Sequence, residues 1–520
     1  MDAVVTAQTV LSVVEPQSSG LGGGGFLLYW DQKKQNLFAL DGRETASSRA
    51  QKDTWIGSDG KPIAWLKARR SLTSIGVPGT AALLWEGHRK FGLLPWKYNL
   101  KASIQIAKEG FIPSPRFLKS ISLAKKIGIN HSPGFKDLYL PNGQLPSKKH
   151  HFKNQELAST LNNLATKGVE TFYRGEISKK IINDIERLQN KDNRVSAITL
   201  EDLANYQVYE RKPLCRLYKV WRVCSFPPPS GGGVAVLQSL GIFEVLTAKT
   251  ISQKLPIHWH LISESLRHAD ADRSHWIGDP IDLPVPLNGL VDDNYIKARA
   301  LGIHLNKAKH FPPPGKPKGG EKLDLASQPR TTAGGTTHLV VVDKQGNVAS
   351  YTGSVESVFG SGYISGGMVL NNQLTDFSFV SSYAGKKIAN RVGANKRPMS
   401  SMSPIIVFHN KVPILAIGSP GGWIIPHFLT SALINALDLN LSPKEVVSSK
   451  HLSVRPDQTL LEENSEWSTS KSSTRQTLQQ SGHQIKTTRF SSGLAIIQRK
   501  GKVWHGAADP RREGKAVSLP

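Results

Sequence analysis

The stretch Gly334-Gly335-Thr336-Thr337-His338 leads directly into the apolar run Leu339-Val340-Val341-Val342. The turn sequence Asp343-Lys344-Gln345-Gly346-Asn347 follows, and then comes a second run, Val348-Ala349-Ser350-Tyr351-Thr352. Two runs rich in β-branched and aromatic residues around a short polar turn predict a β-hairpin. The hydroxyl of Thr336 therefore stands at the first position of a strand, directly after two glycines.

This junction has what self-cleavage requires. Because glycine carries no Cβ, the carbonyl of Gly335 can be turned toward the hydroxyl of Thr336. Attack would move the chain from nitrogen to oxygen, and hydrolysis of that ester would leave Thr336 as a new N-terminus. Its α-amine, with a pKa of about 8, can act as general base for its own hydroxyl. The alternative is an ordinary strand start, since Gly-Gly-Thr is a common tripeptide.

The chain before the junction looks like a boundary between two parts. Residues 305–335 contain Pro312-Pro313-Pro314-Gly315, several lysines and two Gly-Gly pairs, which indicates an exposed, mobile linker. Elsewhere strand patterns at 26–30, 37–40 and 494–504 mix with helix patterns at 80–110, 155–165, 234–247 and 257–277. This mixture predicts an α/β or α+β layered fold.

Composition excludes several classes of protein. The chain has 520 residues, of which 39% are apolar, and no apolar run long enough for a membrane-spanning helix. Lys and Arg number 66 against 40 Asp and Glu, a net charge of +26, which suggests nucleic acid, anionic surfaces or acidic substrates. The basic clusters are short and scattered, so solvated lysines are favoured and nucleic-acid binding is kept as an alternative.

Three further motifs suggest chemistry but favour simpler interpretations. The run Gly20-Leu21-Gly22-Gly23-Gly24-Gly25 has a helix pattern before it and a strand after it, the reverse of a dinucleotide site, so close backbone approach is favoured. Cys215 and Cys224 predict either a hairpin disulfide or two inert thiols. Four histidines lack the spacing of a metal site: His258, His260, His268 and His275.

Many collinear motifs make the chain resemble the γ-glutamyltransferase family of N-terminal-nucleophile hydrolases. The matching stretches run through nearly the whole chain: Val14–Gly20, Leu40-Asp41-Gly42-Arg43-Glu44-Thr45-Ala46, Val77–Thr80, Pro227–Gly232, Ala271-Asp272-Arg273, Gly278-Asp279-Pro280, Thr336-Thr337-His338, Leu370–Gln373, Asp376-Phe377-Ser378, Arg397–Pro404, Gly418-Ser419-Pro420-Gly421-Gly422 and Asp509-Pro510-Arg511-Arg512. The resemblance implies an α+β fold, an αββα four-layer sandwich. The resemblance also implies that the chain is made as one precursor and is cut between Gly335 and Thr336. The products would be a large subunit (1–335, with the linker at its end) and a small subunit (336–520), which would form a heterodimer.

The resemblance also assigns roles in the site. Thr336 would be the nucleophile, and the backbone N–H groups of Gly421 and Gly422 would form the oxyanion hole. Donor-binding residues would be Arg43 for the α-carboxylate, helped by Ser400 and Ser401, and Asp376 with Gln373 for the α-ammonium group. The implied reaction cleaves the γ-glutamyl amide of glutathione or a related compound through a γ-glutamyl-Thr ester, which passes to water, an amino acid or a peptide. No metal or organic cofactor is required.

Two positions depart from the family pattern. Ser354 stands where many members have a Thr that bonds to the nucleophile, and it keeps the hydroxyl. Glu356 stands where many have Asn near the donor's carboxylate, which a glutamate would repel unless it pairs with Arg43 or receives the α-ammonium group. The surrounding run resembles a branch that includes cephalosporin acylases. Glu356 is therefore expected to shift preference away from glutathione, with a glutaryl- or cephalosporin-type amide acylase as the alternative function. An uncleaved, inactive binding relative is the other alternative.

Two features bear on the surroundings of the enzyme. The stretch between Phe377 and Ser400 looks shorter than in members with a lid, so we expect an open site in which hydrolysis competes with transfer. The chain begins inside a helix pattern without a signal peptide. The family is periplasmic or secreted, and a cytoplasmic location is the alternative.

Overall fold

Two antiparallel sheets, one of five and one of six strands, lie face to face in the computed structural model. The structure describes residues 1–189, 197–248, 257–328 and 334–518. The strands are β1 (Gly24–Asp31), β2 (Asn36–Gly42), β3 (Tyr209–Arg211), β4 (Leu214–Tyr218), β5 (Trp221–Ser225), β6 (Leu325–Ala326), β7 (Gly335–Val342), β8 (Val348–Glu356), β9 (Ile364–Ser365), β10 (Met368–Val369), β11 (Ser382–Tyr383), β12 (Lys386–Ile388), β13 (Ile405–His409), β14 (Val412–Gly418), β15 (Leu452–Val454), β16 (Thr459–Glu462), β17 (Ile485–Thr488), β18 (Ala495–Lys500) and β19 (Val503–Ala508).

The five-stranded sheet has the order β3-β2-β1-β8-β7, and the six-stranded sheet has the order β19-β18-β14-β13-β5-β4. The helices are α1 (Asp2–Val14), α2 (Trp65–Arg69), α3 (Thr80–Phe91), α4 (Trp96–Glu109), α5 (Pro115–Lys126), α6 (Pro133–Tyr139), α7 (Gln155–Lys167), α8 (Glu170–Tyr173), α9 (Glu176–Gln189), α10 (Leu200–Ala204), α11 (Gly231–Thr247), α12 (Ile257–Trp276), α13 (Leu287–Leu290), α14 (Asp293–Leu301), α15 (Ile425–Leu437), α16 (Pro443–Ser448) and α17 (Ser473–Gln480).

The central strand β1 shows why the molecule forms four layers. Its residues Phe26, Leu28 and Trp30 belong to the core between the sheets, whereas Leu27 and Tyr29 pack with the helices on the other side. Alternate side chains of a strand point to opposite faces, so a strand apolar at every position is covered on both. Helices α1, α3, α4 and α7 to α9 cover the five-stranded sheet, and α11, α12 and α14 to α16 cover the other. The predicted αββα sandwich of the α+β class is confirmed.

The three predicted strand pairs, around 31–36, 343–347 and 500–501, are present, but the helix predicted over 80–110 is wrong in one respect. It is two helices, α3 and α4, because Gly92 ends the first and Pro95 precedes the second. The helix predicted at 234–247 begins earlier, at Gly231, where Ser230 accepts a hydrogen bond from the N–H of Gly233. A serine hydroxyl at this position satisfies one of the free N–H groups of the first turn.

The segment before the junction is packed more closely than a free linker. The N–H of Gly315 donates to Asp272 over 2.7 Å, and Leu325 and Ala326 are buried as β6, which pairs with β12. Exposed residues are frequent between 304 and 319. Residues 329–333 of the predicted linker lie outside the described part of the chain.

The glycine run and the two cysteines follow the predictions. A Cβ on Gly22 would lie 2.1 Å from the carbonyl oxygen of Val369, so this backbone does make a close approach. Cys215 and Cys224 face each other across β4 and β5 and form a disulfide. The hairpin disulfide is therefore the alternative that the structure shows. None of the described helices is both long and apolar enough to cross a membrane.

Candidate active site

One end of the two sheets carries a cleft. Strand β7 begins there, β8 ends there, and the loop after β14 turns there into α15. The residues lining the cleft are Arg43, Asp270, Arg273, Ser274, Gln328, Thr336, Ser354, Glu356, Gln373, Asp376, Met399, Ser400, Ser401, Met402, Gly422, Trp423 and Ile425. The structure thus brings together every side chain that the sequence analysis placed in the site, and one of the two oxyanion-hole glycines.

The nucleophile candidate lies at an irregularity in the sheet. Gly335 pairs with Glu356 and Thr336 with Ser354, so the register shifts at the bond between Gly335 and Thr336. The hydroxyl of Ser354 donates to the carbonyl oxygen of Gly335 over 2.6 Å, and it lies 3.2 Å from the hydroxyl of Thr336. Because a hydroxyl has one proton, the Thr336 hydroxyl is the donor to Ser354. These bonds form a chain from Thr336 through Ser354 to the carbonyl of Gly335.

An arginine from the C-terminal segment holds Thr336, the second residue of β7. Strand β7 is the edge of its sheet, and the Nη1 atom of Arg512 donates to the carbonyl oxygen of Thr336 over 2.9 Å. Burial lowers the pKa of Arg512 to about 9. The sequence analysis assigned Arg512 no role, although it lies in a matching motif, Asp509-Pro510-Arg511-Arg512.

The two glycines after β14 adopt backbone angles that other residues avoid. Gly421 has φ +146° and Gly422 has φ +64°. A Cβ on Gly421 would lie 2.7 Å from the ring of Phe428, so the position is also closed by packing. A Cβ on Gly334 would lie 3.5 Å from the amide nitrogen of Gly422, which places this peptide next to the residue before the junction. N–H groups in such a position can stabilise a developing oxyanion.

Arg43 is completely buried and fixed by three hydrogen bonds. Its Nε donates to the carbonyl oxygen of Pro398 over 3.1 Å, and its Nη2 donates to that of Met399 over 3.0 Å and to the carboxylate of Asp376 over 2.6 Å. Gln373 donates to the same Asp376 oxygen over 2.7 Å. No residue in the described part of the chain is hydrogen-bonded to Nη1 of Arg43. Nη1 faces the buried carboxylate of Glu44 at 3.6 Å, and the planar guanidinium suits pairing with carboxylates.

A second buried carboxylate lies behind Arg43. Glu44 is completely buried, and within the described residues its two oxygens make no hydrogen bond. Its nearest opposite charge is Nη1 of Arg43 at 3.6 Å. Burial raises the pKa of Glu44 to about 7, and the charge of Arg43 offsets this only in part. The sequence analysis quoted Glu44 in a motif but gave it no role.

Glu356 is buried at the end of β8 with φ +76°. Its Oε2 accepts hydrogen bonds from the side chains of Ser357 and Asn372. Burial, and then the charge of Asp376, raise the pKa of Glu356 above its usual range. The ion pairs of Arg43 are made with Glu44 and Asp376.

The serine pair is held by its neighbours on the other wall. The Ser400 hydroxyl accepts from the N–H of Met402 over 3.1 Å, and the Ser401 hydroxyl accepts from Arg273 over 3.1 Å. Arg273 also donates to the carbonyl oxygen of Trp423 over 3.1 Å and lies 3.5 Å from Asp270. Sequence reasoning missed the place of Arg273 and Asp270 in the cleft, although the matching motif 271–273 was a signal.

Three of the four histidines of α12 take part in hydrogen bonds, whereas the ring of buried His258 makes none with the described residues. His260 is bonded to His483 over 2.8 Å and to the carbonyl oxygen of His304 over 2.9 Å. His260, Glu264 and His483 lie close enough together to bind a metal ion, but Glu264 is paired with Arg267. The interactions that these groups already make account for their positions.

Comparison with known proteins identifies the family. The chain matches the family described as Gamma-glutamyltranspeptidase over residues 1–519. It is 32% identical to a glutathione hydrolase proenzyme of Bacillus subtilis (strain 168) over 460 residues, 87% of this chain and 76% of the relative. It is 32% identical to the glutathione hydrolase proenzyme of Escherichia coli (strain K12) over 527 residues, 98% of this chain and 86% of the relative.

Solved structures show the same fold. A cephalosporin acylase from Bacillus halodurans superposes with a TM-score of 0.86 at 24% identity, covering 100% of this chain and 91% of that one. A γ-glutamyltranspeptidase from Pseudomonas nitroreducens, complexed with L-DON, gives a TM-score of 0.54 at 32% identity, covering 59% of this chain and 88% of that one. The match over almost the whole sequence is the decisive finding. The chain belongs to the γ-glutamyltranspeptidase family.

Proposed function

We propose that the chain cuts itself between Gly335 and Thr336 and then acts as a γ-glutamyl hydrolase and transferase on glutathione and related compounds. The observation that carries this proposal is the hydrogen-bonded chain Thr336–Ser354–Gly335, which ends in the same cleft as the buried Arg43. The γ-glutamyl group would pass through an ester on Thr336 to water, an amino acid or a peptide. The two parts of the chain would remain together as a heterodimer.

The self-cleavage step follows from the bonds around Ser354. The Thr336 oxygen attacks the carbonyl carbon of Gly335, its proton passes to Ser354, and the proton of Ser354 moves to the Gly335 oxygen. When the carbon–nitrogen bond breaks, the Thr336 nitrogen takes the proton from the Gly335 oxygen, which leaves a free α-amine and an ester. Water then hydrolyses this ester, which gives a carboxylate on Gly335 and frees the hydroxyl of Thr336. The N–H of Glu356 donates to Ser354 over 2.9 Å and keeps its hydroxyl in line.

The donor would be held by opposite charges at its amino-acid end. Its α-carboxylate would bind to the guanidinium of Arg43, and its α-ammonium group would bind to the carboxylate of Asp376, which is 21% exposed. Gln373 keeps Asp376 in place. These contacts leave the γ-amide near Thr336, because all of the groups line one cleft.

Catalysis would then repeat the chemistry of self-cleavage on the donor. The free amine of Thr336 takes the proton of its own hydroxyl, and the oxygen attacks the γ-carbonyl carbon. The N–H groups of Gly421 and Gly422 stabilise the oxyanion. The leaving amine takes the proton as the carbon–nitrogen bond breaks, and water or an acceptor amine resolves the ester.

Glu356 gives this site a second carboxylate. Since Arg43 is paired with Asp376 and Glu44, we assign Glu356 to the α-ammonium group rather than to Arg43. A glutaryl donor has no ammonium group and would offer no cationic partner to Glu356 or Asp376. The geometry therefore favours γ-glutamyl donors over the glutaryl and cephalosporin amides of the alternative function, and this revises the shift that the sequence suggested.

The disulfide of β4 and β5 supports a location outside the cytoplasm. Disulfides persist in oxidising compartments and are rare in the cytosol. Cys215 and Cys224 form one in this structure. We therefore favour the periplasm or the cell exterior.

Intact mass and N-terminal sequencing of the purified protein test self-cleavage directly. Two chains, the smaller one beginning at Thr336, are expected. A single uncut chain in folded protein would contradict the proposal and favour an inactive binding relative.

The preference for the donor is tested by comparing kcat/KM for γ-glutamyl and glutaryl anilides, with Glu356→Gln as a variant of the same size. The wild type should prefer the γ-glutamyl anilide, and the variant should lose part of this preference. A wild type that prefers the glutaryl anilide would make the protein an acylase.

A further inference from the structure

The end of the molecule opposite the cleft consists of five hairpin turns. The five-stranded sheet contributes 31–36 and 343–347, and the six-stranded sheet contributes 218–221, 409–412 and 500–503. The turns of the two sheets lie at the same end, because the rings of Trp30 in β1 and Phe408 in β13 are 4.9 Å apart. Within the five-stranded sheet, the N–H of Gln32 donates to Asn347 over 2.9 Å and joins its two turns. These five turns are called the tip face below.

The three turns of the six-stranded sheet repeat one pattern. Each carries a lysine followed by an exposed valine: Lys219-Val220, Lys411-Val412 and Lys502-Val503. The valines are 63%, 42% and 58% exposed, respectively. Neighbouring hairpins in a sheet place their turns about 10 Å apart, twice the spacing of strands. The pattern therefore forms a row about 20 Å long along the sheet end.

The tip face is strongly basic. Its turns carry seven lysines and two aspartates, Asp31 and Asp343; the lysines are Lys33, Lys34, Lys219, Lys344, Lys411, Lys500 and Lys502. Lys34 pairs with Asp31, and Lys219 pairs with Asp438. Glu445 lies near Lys500. For Lys411, Lys500 and Lys502, no carboxylate of the described residues lies within ion-pair distance, so their charges are free to meet an external anion.

We propose that the tip face docks on an anionic lipid bilayer. The valines would enter the boundary between headgroups and acyl chains, and the lysines would bind to lipid phosphates. Apolar side chains at the points of a basic surface fit a bilayer better than a nucleic acid, whose backbone offers phosphates but no apolar layer at that depth. Lipid binding would also explain part of the net charge of +26, since the tip-face lysines take no part in catalysis.

Docking through this face would leave the enzyme open to solution. Thr336 is the second residue of β7 and lies at the cleft, and β7 runs for eight residues to the turn at the opposite end. A strand of that length spans about 25 Å. A bilayer under the tip face would therefore not cover the cleft, and soluble donors could enter while the protein is bound.

Co-sedimentation with lipid vesicles tests the proposal on the mature protein. Vesicles of phosphatidylcholine alone are compared with vesicles containing one third phosphatidylglycerol. The wild type should bind to the anionic vesicles and not to the neutral ones, and salt should weaken the binding. The variant Lys411→Glu/Lys500→Glu/Lys502→Glu should lower the partition coefficient about 100-fold. The variant Val220→Ser/Val412→Ser/Val503→Ser should lower it about tenfold.

A matched control has the same charge change at the other end of the molecule. Lys119→Glu/Lys126→Glu/Lys136→Glu alters exposed lysines of α5 and α6, which pack against residues after the end of β8. This control should bind almost as the wild type does, and all variants should keep their activity on a soluble donor, which shows that they are folded. Equal loss in the control, or no preference of the wild type for anionic vesicles, would overturn the proposal. Binding to duplex DNA that is unaffected by the valine changes, without vesicle binding, would replace it by a polyanion surface.

Discussion

A single hydroxyl connects the nucleophile to the bond that it is proposed to cut. Ser354 accepts from Thr336 and donates to the carbonyl of Gly335. Ser354→Ala removes this connection, and we expect self-cleavage to slow about 100- to 1,000-fold, the usual effect of losing a donor to a developing oxyanion. The fraction of cut chain is followed over time on denaturing gels. Ser354→Thr keeps the hydroxyl and should mature nearly as fast as the wild type, and maturation of the Ala variant at the wild-type rate would refute the role.

The buried carboxylate of Glu44 should make stability depend on pH. Its pKa is raised from 4.5 to about 7 in the folded protein, so between these values the folded state keeps a proton that the unfolded chain has released. The free energy of unfolding therefore falls as pH rises through this window, by up to about 3 kcal/mol. Glu44→Gln should reduce this slope, and the part that remains would come from other buried groups such as Glu356, whose pKa is also raised. Urea unfolding of the uncut Thr336→Ala chain at both ends of the pH window measures the change in the free energy of unfolding. An equal slope in the Gln variant would show that the pH dependence does not come from Glu44.

At the scale of the element, the glycine pair after β14 is fixed by conformation and packing together. Gly421→Ala would place a methyl group 2.7 Å from the ring of Phe428 at φ +146°. We expect the N–H groups to move out of line and kcat to fall about 100-fold or more. Gly501→Ala is the control, since Gly501 also has positive φ (+60°) but has no neighbour within 4 Å of its Cβ. Gly501→Ala should lower stability by about 1 kcal/mol and leave kcat unchanged. Equal losses of kcat in the two variants would show that the effect of Gly421→Ala does not arise in the active site.

Elements were predictable from the sequence where the pattern was local. The hairpin after Thr336 and the strand pair around 31–36 have alternation and turn residues that lie within a few positions of each other. The sequence also contained the signals for the break between α3 and α4, Gly92 and Pro95. The amphipathic pattern continues across both residues, so it predicted one helix instead of two. The contacts of Arg512 were not predictable, because this side chain reaches Thr336 across 176 positions of sequence. Neither hydrophobic periodicity nor the spacing of motifs predicts a contact between residues so far apart in the sequence.

At the scale of the whole molecule, both sheets combine strands from each side of the junction. Strand β1 pairs with β8 from Gly24–Ser354 to Trp30–Val348, and β5 pairs with β13 in the second sheet. We therefore expect the two fragments to elute together in gel filtration after cleavage and to separate only in denaturant. Residues 336–520 expressed alone should not fold, since β8 would lose β1 as its neighbour. A small fragment that elutes alone and folded would contradict this expectation.

The same combination of strands sets the order of events in the life of the molecule. The bond between Gly335 and Thr336 meets Ser354 only after β7 has paired with β8, and the cleft closes around it only after β1 to β5, from the first half of the chain, have joined the two sheets. A misfolded copy would then keep its amide and never acquire the reactive amine. Maturation would work as an inspection step that admits only correctly assembled chains to catalysis, without the help of another protein.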